Sequence, residues 1–218
     1  MTTPDEPLVT TASVEEVISA IEAVDLTAPW EQVAPNLRLA LPRRRALPVD
    51  IEELPQRDYA PGIRAVLGLD IGPAMLFVAH EQLAGWSVTE EEAFDRALEN
   101  VRAQAARRKQ FALIHERIAD VPTLAFQSRE GWASCLLLLP DELVRVFGER
   151  SGLILAPMRD LVMCLPLDVE REFARWLLGE FAAVDMNALD LPPFALVDGV
   201  LTHAVGVPPA LRRTAVPH

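Results

Sequence analysis

The chain has 218 residues, half of them hydrophobic, and its 32 acidic side chains outnumber 20 basic ones to give a formal net charge of −12. This composition is ample for a folded core and excludes a disordered chain, and the length suits one domain or one domain with a small appendage. Phosphate backbones and anionic lipids repel so acidic a protein, so neither nucleic acid nor a membrane is expected as a partner.

The apolar runs and the cysteines predict a cytoplasmic protein. The longest apolar run, Cys135–Leu139, is closed by Pro140 and is far shorter than the roughly 20 residues that span a bilayer. The N-terminus is acidic and polar, without the basic region of a signal peptide. Cys135 and Cys164 both lie in apolar segments, which favours reduced thiols that act as small hydrophobic side chains.

The N-terminal part begins with a loose tail over residues 1–12, followed by a capped helix. Ser13 and Glu16 have the spacing of a capping box, and the helix is expected to run to about Val24. Apolar residues recur at helical spacing and predict one buried face. They are Val14, Val17, Ile18, Ile21 and Val24.

Residues 27–62 are irregular and rich in proline. Leu37, Leu39 and Leu41 alternate with polar or small residues, a pattern typical of a short edge strand. We therefore expect three regions: an N-terminal helix and proline-rich wrapping segment over 1–62, an α+β core domain over 63–207, and a flexible tail over 208–218.

A second capped helix follows two strands. Ile63–Ile71 and Ala74–Ala79 are predicted strands separated by a Gly-Pro turn, and Thr89 and Glu92 then form another capping box. The apolar residues of this helix lie on one face. They are Phe94, Ala97, Leu98, Val101 and Ala105.

The next segment is predicted to be mainly strands. Phe111–Ile118 and Thr123–Gln127 are the first two, and a turn at residues 129–131 is expected to lead into a third, Trp132–Leu138. A short helix should then run from Pro140 to Phe147, because proline is favoured in the first helical turn and Gly148 suits the C-terminal end.

The last segment contains two predicted hairpins around a helix. Leu153–Ala156 and Leu161–Leu165 flank the first turn, and residues 194–204 form the second hairpin at an Asp-Gly pair, a strong hairpin signal. The helix between them, capped by Asp168, is expected to bury Trp176 in the core. The mixed order predicts an α+β fold: a largely antiparallel sheet of hairpins with three main amphipathic helices packed on it.

Arg159 and Asp160 stand out as adjacent charges inside an apolar run. A charged hairpin turn is the simpler interpretation, because Pro157 suits the start of a turn and Asp160 can accept from nearby backbone amides. The alternative is a ligand-binding site in which Asp160 orients Arg159, since a guanidinium suits carboxylate or phosphate.

No complete catalytic, metal or cofactor motif occurs. Ser134 lacks the second glycine of a nucleophile elbow, and the His-Glu pairs at His80 and His115 lack a second histidine. The sequence therefore predicts no catalytic residue, no metal and no cofactor. Two features could dock on a partner: Trp30 in the proline-rich segment and the arginine run Arg43, Arg44 and Arg45.

Four segments carry a resemblance to a known family: Trp86–Asn100, Ala133–Leu138, the Ala-Pro-Met-Arg-Asp-Leu run of 156–161, and Phe194–His203. They resemble the YtpQ-like family of bacterial cytoplasmic proteins, a domain of unknown function, over roughly residues 60–205. The resemblance implies the same α+β fold and compartment and brings no activity.

We expect a non-catalytic scaffold or adaptor for protein–protein interaction, acting with a protein partner or as a homodimer. The alternative is a sensor or enzyme that binds a small anion, phosphate or carboxylate, at Arg159 and Asp160.

Overall fold

The computed structural model describes residues 13–41, 53–60, 62–107, 113–128, 131–148, 150–184 and 188–204. The helices are α1 (Val14–Ala23), α2 (Trp30–Val33), α3 (His80–Gly85), α4 (Glu90–Arg107), α5 (Pro140–Phe147) and α6 (Arg171–Val184), with 3₁₀ turns at Ala34–Asn36 and Ala133–Leu138. The strands are β1 (Leu37–Ala40), β2 (Gln56–Ala60), β3 (Ile63–Asp70), β4 (Met75–Phe77), β5 (Leu113–Ile118), β6 (Val121–Gln127), β7 (Gly152–Met158), β8 (Leu161–Leu165), β9 (Phe194–Val197) and β10 (Val200–His203).

The α+β class is confirmed, and the strands form two antiparallel sheets. In the four-stranded sheet, β3 pairs with β1, β2 and β4; the six-stranded sheet has the order β10-β9-β7-β8-β6-β5. Both β1 and β2 pair with β3, so the division expected at residue 62 falls inside a hairpin of one sheet. Leu37 and Leu39 of β1 are buried in the main core, which makes this strand part of the core and not a separate wrapping segment.

Helix α4 packs on the four-stranded sheet through its apolar face. Its capping box is present: the Thr89 hydroxyl accepts from the backbone amide of Glu92 at 3.2 Å, and the Thr89 amide donates to the Glu92 carboxylate at 2.9 Å. The buried side chains agree with the predicted face, apart from Leu98, which is half-buried. They are Ala93, Phe94, Ala97, Val101 and Ala105.

The six-stranded sheet is covered on both faces. Ile154 of β7 contacts the main core, which joins α4, α5, the buried 3₁₀ helix and the four-stranded sheet. The neighbouring Leu153 and Leu155 lie in a second core formed with Ala174 and Leu177 of α6. This alternation follows the pleat of the strand.

The prediction of a buried face on α1 is wrong. The capping box of Ser13 and Glu16 forms, but α1 has no buried residue, and Val14, Ile18 and Ile21 are 71%, 50% and 44% exposed. The chain is attached to the core after this helix, where the Trp86 indole donates to the carbonyl of Leu26 at 3.0 Å.

Two other expectations are corrected. Trp132–Leu138 is not a strand, because Ala133–Leu138 is a buried 3₁₀ helix. The Ser128 hydroxyl accepts from the amides of Trp132 and Ala133, both at 2.9 Å, and so fixes the start of this helix. Trp176 is not in the core and is 48% exposed, because α6 turns the adjacent Leu177 toward the sheet instead.

The turn prediction at the last hairpin is confirmed by the register. Val197 pairs with Val200, which leaves Asp198 and Gly199 as the turn, and both have positive φ.

Among the helices that the structure describes, none combines the length and apolar character that crossing a membrane requires.

Candidate functional site

The site begins at the turn between β7 and β8. Met158 pairs with Leu161, so Arg159 and Asp160 occupy the two turn positions, as the simpler interpretation of the sequence expects. The turn is held by hydrogen bonds from two serine amides: Ser128, at the end of β6, donates to the carbonyl of Asp160 at 2.8 Å, and Ser134, in the buried 3₁₀ helix, donates to the carbonyl of Arg159 at 3.0 Å. Both charged residues are therefore half-buried.

The two side chains of the turn have different surroundings. The Asp160 carboxylate accepts from the Gln127 amide at 3.3 Å. Within the part of the chain that the structure describes, Arg159 has no ion pair, with Asp160 or with any other carboxylate. The orienting role expected for Asp160 therefore has no contact in the structure to support it.

Gly131 provides the surface on which the Arg159 guanidinium lies. A Cβ atom placed on Gly131 would lie 2.6 Å from Nη2 of Arg159, closer than real Cβ contacts allow, and 3.1 Å from its Nε. Gly131 also has φ of +70°, in the left-handed region that favours glycine. A side chain at this position would therefore displace the guanidinium, so the arginine depends on glycine here.

Arg159 shares a pocket with Arg38 of β1, and we call it the Arg38–Arg159 pocket. Its remaining walls come from the four-stranded sheet and its β3–β4 turn, from α4 and from the residues just before the 3₁₀ helix. They are Leu39, Asp70, Gly72, Pro73, Ala74, Met75, Val101, Gly131 and Trp132. The cavity between these walls has a volume of about 60 Å³, room for a few water-sized groups and hence for a small anion.

Arg38 is the component of the pocket that sequence reasoning missed. Its Nη1 donates to the carbonyls of Pro35 and Leu37, both at 2.9 Å, and its Nη2 lies 3.4 Å from the Asp70 carboxylate. Its Nε is buried without a hydrogen-bond partner. The sequence shows only a polar residue alternating with leucines on a short strand, a pattern that also fits an arginine facing solvent.

The field of both arginines reaches the buried thiol of Cys135. Burial raises the pKa of this thiol to about 12, while Arg159, the Ser134 hydroxyl and Arg38 act in the opposite direction. The thiol therefore stays protonated at neutral pH, and it donates to the carbonyl of Leu39 at 3.0 Å. A protonated, buried thiol is a poor nucleophile.

The other candidate residues lie elsewhere. Trp30 packs on Trp86 of its own chain, with ring centroids 6.1 Å apart, and Arg43, Arg44 and Arg45 lie outside the described residues. His203 stacks on Phe194 at 5.6 Å. No three His, Cys, Asp or Glu side chains come together as metal ligands within the described ranges.

No family model, no curated protein and no solved structure matches the chain. The similarity to the YtpQ-like family therefore stays a prediction from the sequence. The function has to be argued from the pocket and the surface.

Proposed function

We propose that this protein binds a small anionic molecule in the Arg38–Arg159 pocket. The observation that carries the proposal is the half-buried Arg159, which has no acidic partner among the described residues and faces the same pocket as a second arginine. Two cations that share a pocket repel each other, and an anion between them converts that repulsion into attraction. Guanidinium groups also match the oxygen geometry of carboxylates and phosphates.

The Arg159 side chain can be removed without dismantling the turn. The contacts that hold the turn are made by the backbone carbonyls of Arg159 and Asp160, which Arg159→Ala leaves in place. Arg175→Ala is a matched control, because this arginine lies exposed on α6, where it is 3.9 Å from the exposed Glu172.

The test is thermal unfolding of the full chain with inorganic phosphate, acetate and benzoate at constant ionic strength. A ligand that binds only the native state raises the midpoint by mass action. We expect at least one of these anions to raise the midpoint of the parent and of Arg175→Ala, and to leave Arg159→Ala unchanged. An equal rise in all three proteins, or no rise in the parent, would overturn the proposal.

A second candidate function is protein–protein interaction, and the exposed apolar face of α1 favours it. Val14, Ile18 and Ile21 form this face. The helix also carries Glu15, Glu16 and Glu22 and no basic residue, so a second copy of α1 would bring like charges together. The partner that fits is a different protein with an apolar groove edged by lysine or arginine.

This candidate needs point variants, because deletion of residues 1–60 would also remove two strands of the four-stranded sheet. We expect the pure chain to be a monomer by sedimentation. A partner captured in stoichiometric amount should be released by salt and lost in Ile18→Glu. It should be retained in Val200→Glu, which alters an apolar residue on β10 that is 60% exposed, against 50% for Ile18. If the pure chain is a homodimer that Ile18→Glu dissociates, the partner of α1 is a second copy of the chain. If Ile18→Glu does not affect capture of the partner, α1 is not the docking surface.

A cytoplasmic location and the exclusion of nucleic acid stay predictions from composition. The two cysteines are free and buried, which is consistent with a reducing compartment.

A further inference from the structure

One wall of the Arg38–Arg159 pocket carries a hydrogen-bond acceptor. The Asp70 carboxylate lines the pocket and is fixed in position: its Oδ2 lies 3.4 Å from Nη2 of Arg38, and its Oδ1 accepts from the Gly72 amide at 3.0 Å. The side chain is still 36% exposed, and its two oxygens have about four lone-pair sites, so acceptor capacity remains. An ionised carboxylate has no proton to donate, so an anion beside it must bring a donor of its own or meet like-charge repulsion.

The cavity is compact, and its accessible surface is more polar than apolar. Its volume of about 60 Å³ has room for a few water-sized groups, and a tetrahedral oxyanion consists of four oxygens around one central atom. The apolar wall residues Leu39, Val101 and Trp132 are 2%, 0% and 3% exposed, so they offer almost no surface to an organic substituent. A small oxyanion without such a substituent therefore suits the cavity.

We infer that the ligand of the Arg38–Arg159 pocket is inorganic phosphate, bound as hydrogen phosphate. This inference rests on the proposed function and narrows the anion to one that keeps a hydroxyl group. Arg159, which has no acidic partner among the described residues, binds the phosphate oxygens, and the phosphate hydroxyl donates to the Asp70 carboxylate. Arg38, which also donates to two backbone carbonyls, holds this carboxylate beside the anion.

Sulfate is the anion that this arrangement rejects. At mildly alkaline pH, sulfate and hydrogen phosphate have the same tetrahedral shape and the same double negative charge, and they differ in the hydroxyl group. The Asp70 carboxylate accepts a hydrogen bond from hydrogen phosphate and repels sulfate, which has no donor. Specificity of this kind comes from an unfavourable contact with the wrong ligand as well as a favourable contact with the right one.

The first experiment compares anions on the full chain by isothermal titration at constant ionic strength and mildly alkaline pH. We expect phosphate to bind at least about tenfold more tightly than sulfate, which is the smaller value for a hydrogen bond to a charged group. Methyl phosphate, a dianion whose hydroxyl is blocked by the ester, should bind as weakly as sulfate. Arsenate, which keeps a proton, should resemble phosphate, and selenate, which has none, should resemble sulfate.

The second experiment gives the wall a hydrogen-bond donor. Asp70→Asn keeps an oxygen that can accept from the Gly72 amide and adds an N–H group that can donate to a sulfate oxygen. We expect sulfate to bind more tightly to this variant than to the parent, and the preference for phosphate to disappear. Asp58→Asn is the control and should keep the preference of the parent, since Asp58 pairs with Arg64 at 2.7 Å at an exposed position of β2, outside the lining of the pocket.

The outcomes separate the inference from the proposed function. If sulfate or methyl phosphate binds the parent as tightly as phosphate, or if carboxylates alone bind, the ligand is not hydrogen phosphate, while anion binding at Arg159 stands. An unchanged preference in a folded Asp70→Asn would also overturn the inference. If this variant does not fold, equal affinity of the parent for arsenate and selenate would overturn it instead. The absence of binding by every anion would overturn the proposed function as well.

Discussion

The contact between Gly131 and Arg159 can be tested with a pair of alanine substitutions. Gly131 and Gly148 have the same φ of +70°, so alanine at either position meets the same backbone restriction. A Cβ on Gly148 would have no heavy atom within 4 Å, whereas a Cβ on Gly131 would lie 2.6 Å from the Arg159 guanidinium. The pair therefore separates backbone strain from displacement of the arginine.

The two substitutions should have similar effects on stability. Alanine in the left-handed region lowers the free energy of unfolding by about 1–2 kcal/mol, which both variants share. The guanidinium is the far end of a flexible side chain and can move aside, so Gly131→Ala should lose little more than Gly148→Ala. Urea unfolding in the absence of added anion measures this comparison.

The two variants should differ in anion binding. A hydrogen bond to a charged group contributes about 1.5–3 kcal/mol, so displacement of Arg159 should weaken binding at least about tenfold in Gly131→Ala. Gly148→Ala, at the end of α5, should bind the anion as the parent does. Equal affinity in both variants would show that the position of Arg159 against Gly131 is not the one that binds, and the reasoning on the pocket would then be wrong.

Two further predictions concern a helix cap and a buried phenol. Thr89→Ala should lower the free energy of unfolding by about 1 kcal/mol in urea, because the capped helix α4 buries five residues. Ser13→Ala should change only the local hydrogen exchange of α1, because α1 buries no residue. Equal losses of global stability in the two variants would contradict the placement of α1. Burial raises the pKa of Tyr59 from 10.0 to about 12. The buried neutral phenol therefore makes its full contribution to the stability of the native state below pH 10, and this contribution is lost as the pH rises toward 12. Tyr59 is the single tyrosine of the chain, so a pH titration followed by tyrosinate absorbance reports on it alone. The midpoint should lie at higher pH in the native protein than in the urea-unfolded protein, and coincident midpoints would refute the raised pKa.

The sequence is sufficient to predict the structure where that structure depends on residues close together along the chain. The capping box at Thr89, the hairpin at Asp198 and Gly199, and the turn at Arg159 and Asp160 all involve residues within a few positions of one another. The physical causes are local: a side-chain oxygen close to free amides, and residues that tolerate a positive φ.

The errors occur where tertiary contacts decide. An apolar stripe on a helix shows that a face can be buried and does not show whether anything covers it. The sequence therefore cannot distinguish the exposed stripe of α1, or the exposed Trp176, from a buried face. The apolar run of Ala133–Leu138 is buried on every side, so it has no periodicity that distinguishes a strand from a 3₁₀ helix. Ser128, whose hydroxyl holds the entry to that helix, carries no recognisable signal in the sequence.

The Arg38–Arg159 pocket combines a residue that the sequence could identify with a residue that only tertiary contacts bring into the site. Arg159 could be found from the sequence because a charge in an apolar run is unusual. Arg38 joins it only through the pairing of β1 with β3 and through the hydrogen bonds that Ser128 and Ser134 donate to the β7–β8 turn. Carboxylates outnumber cationic side chains in this chain by 32 to 20. With acidic side chains in excess, the absence of a carboxylate partner for Arg159 among the described residues is not a consequence of scarcity. It leaves an arginine able to take its anionic partner from a ligand.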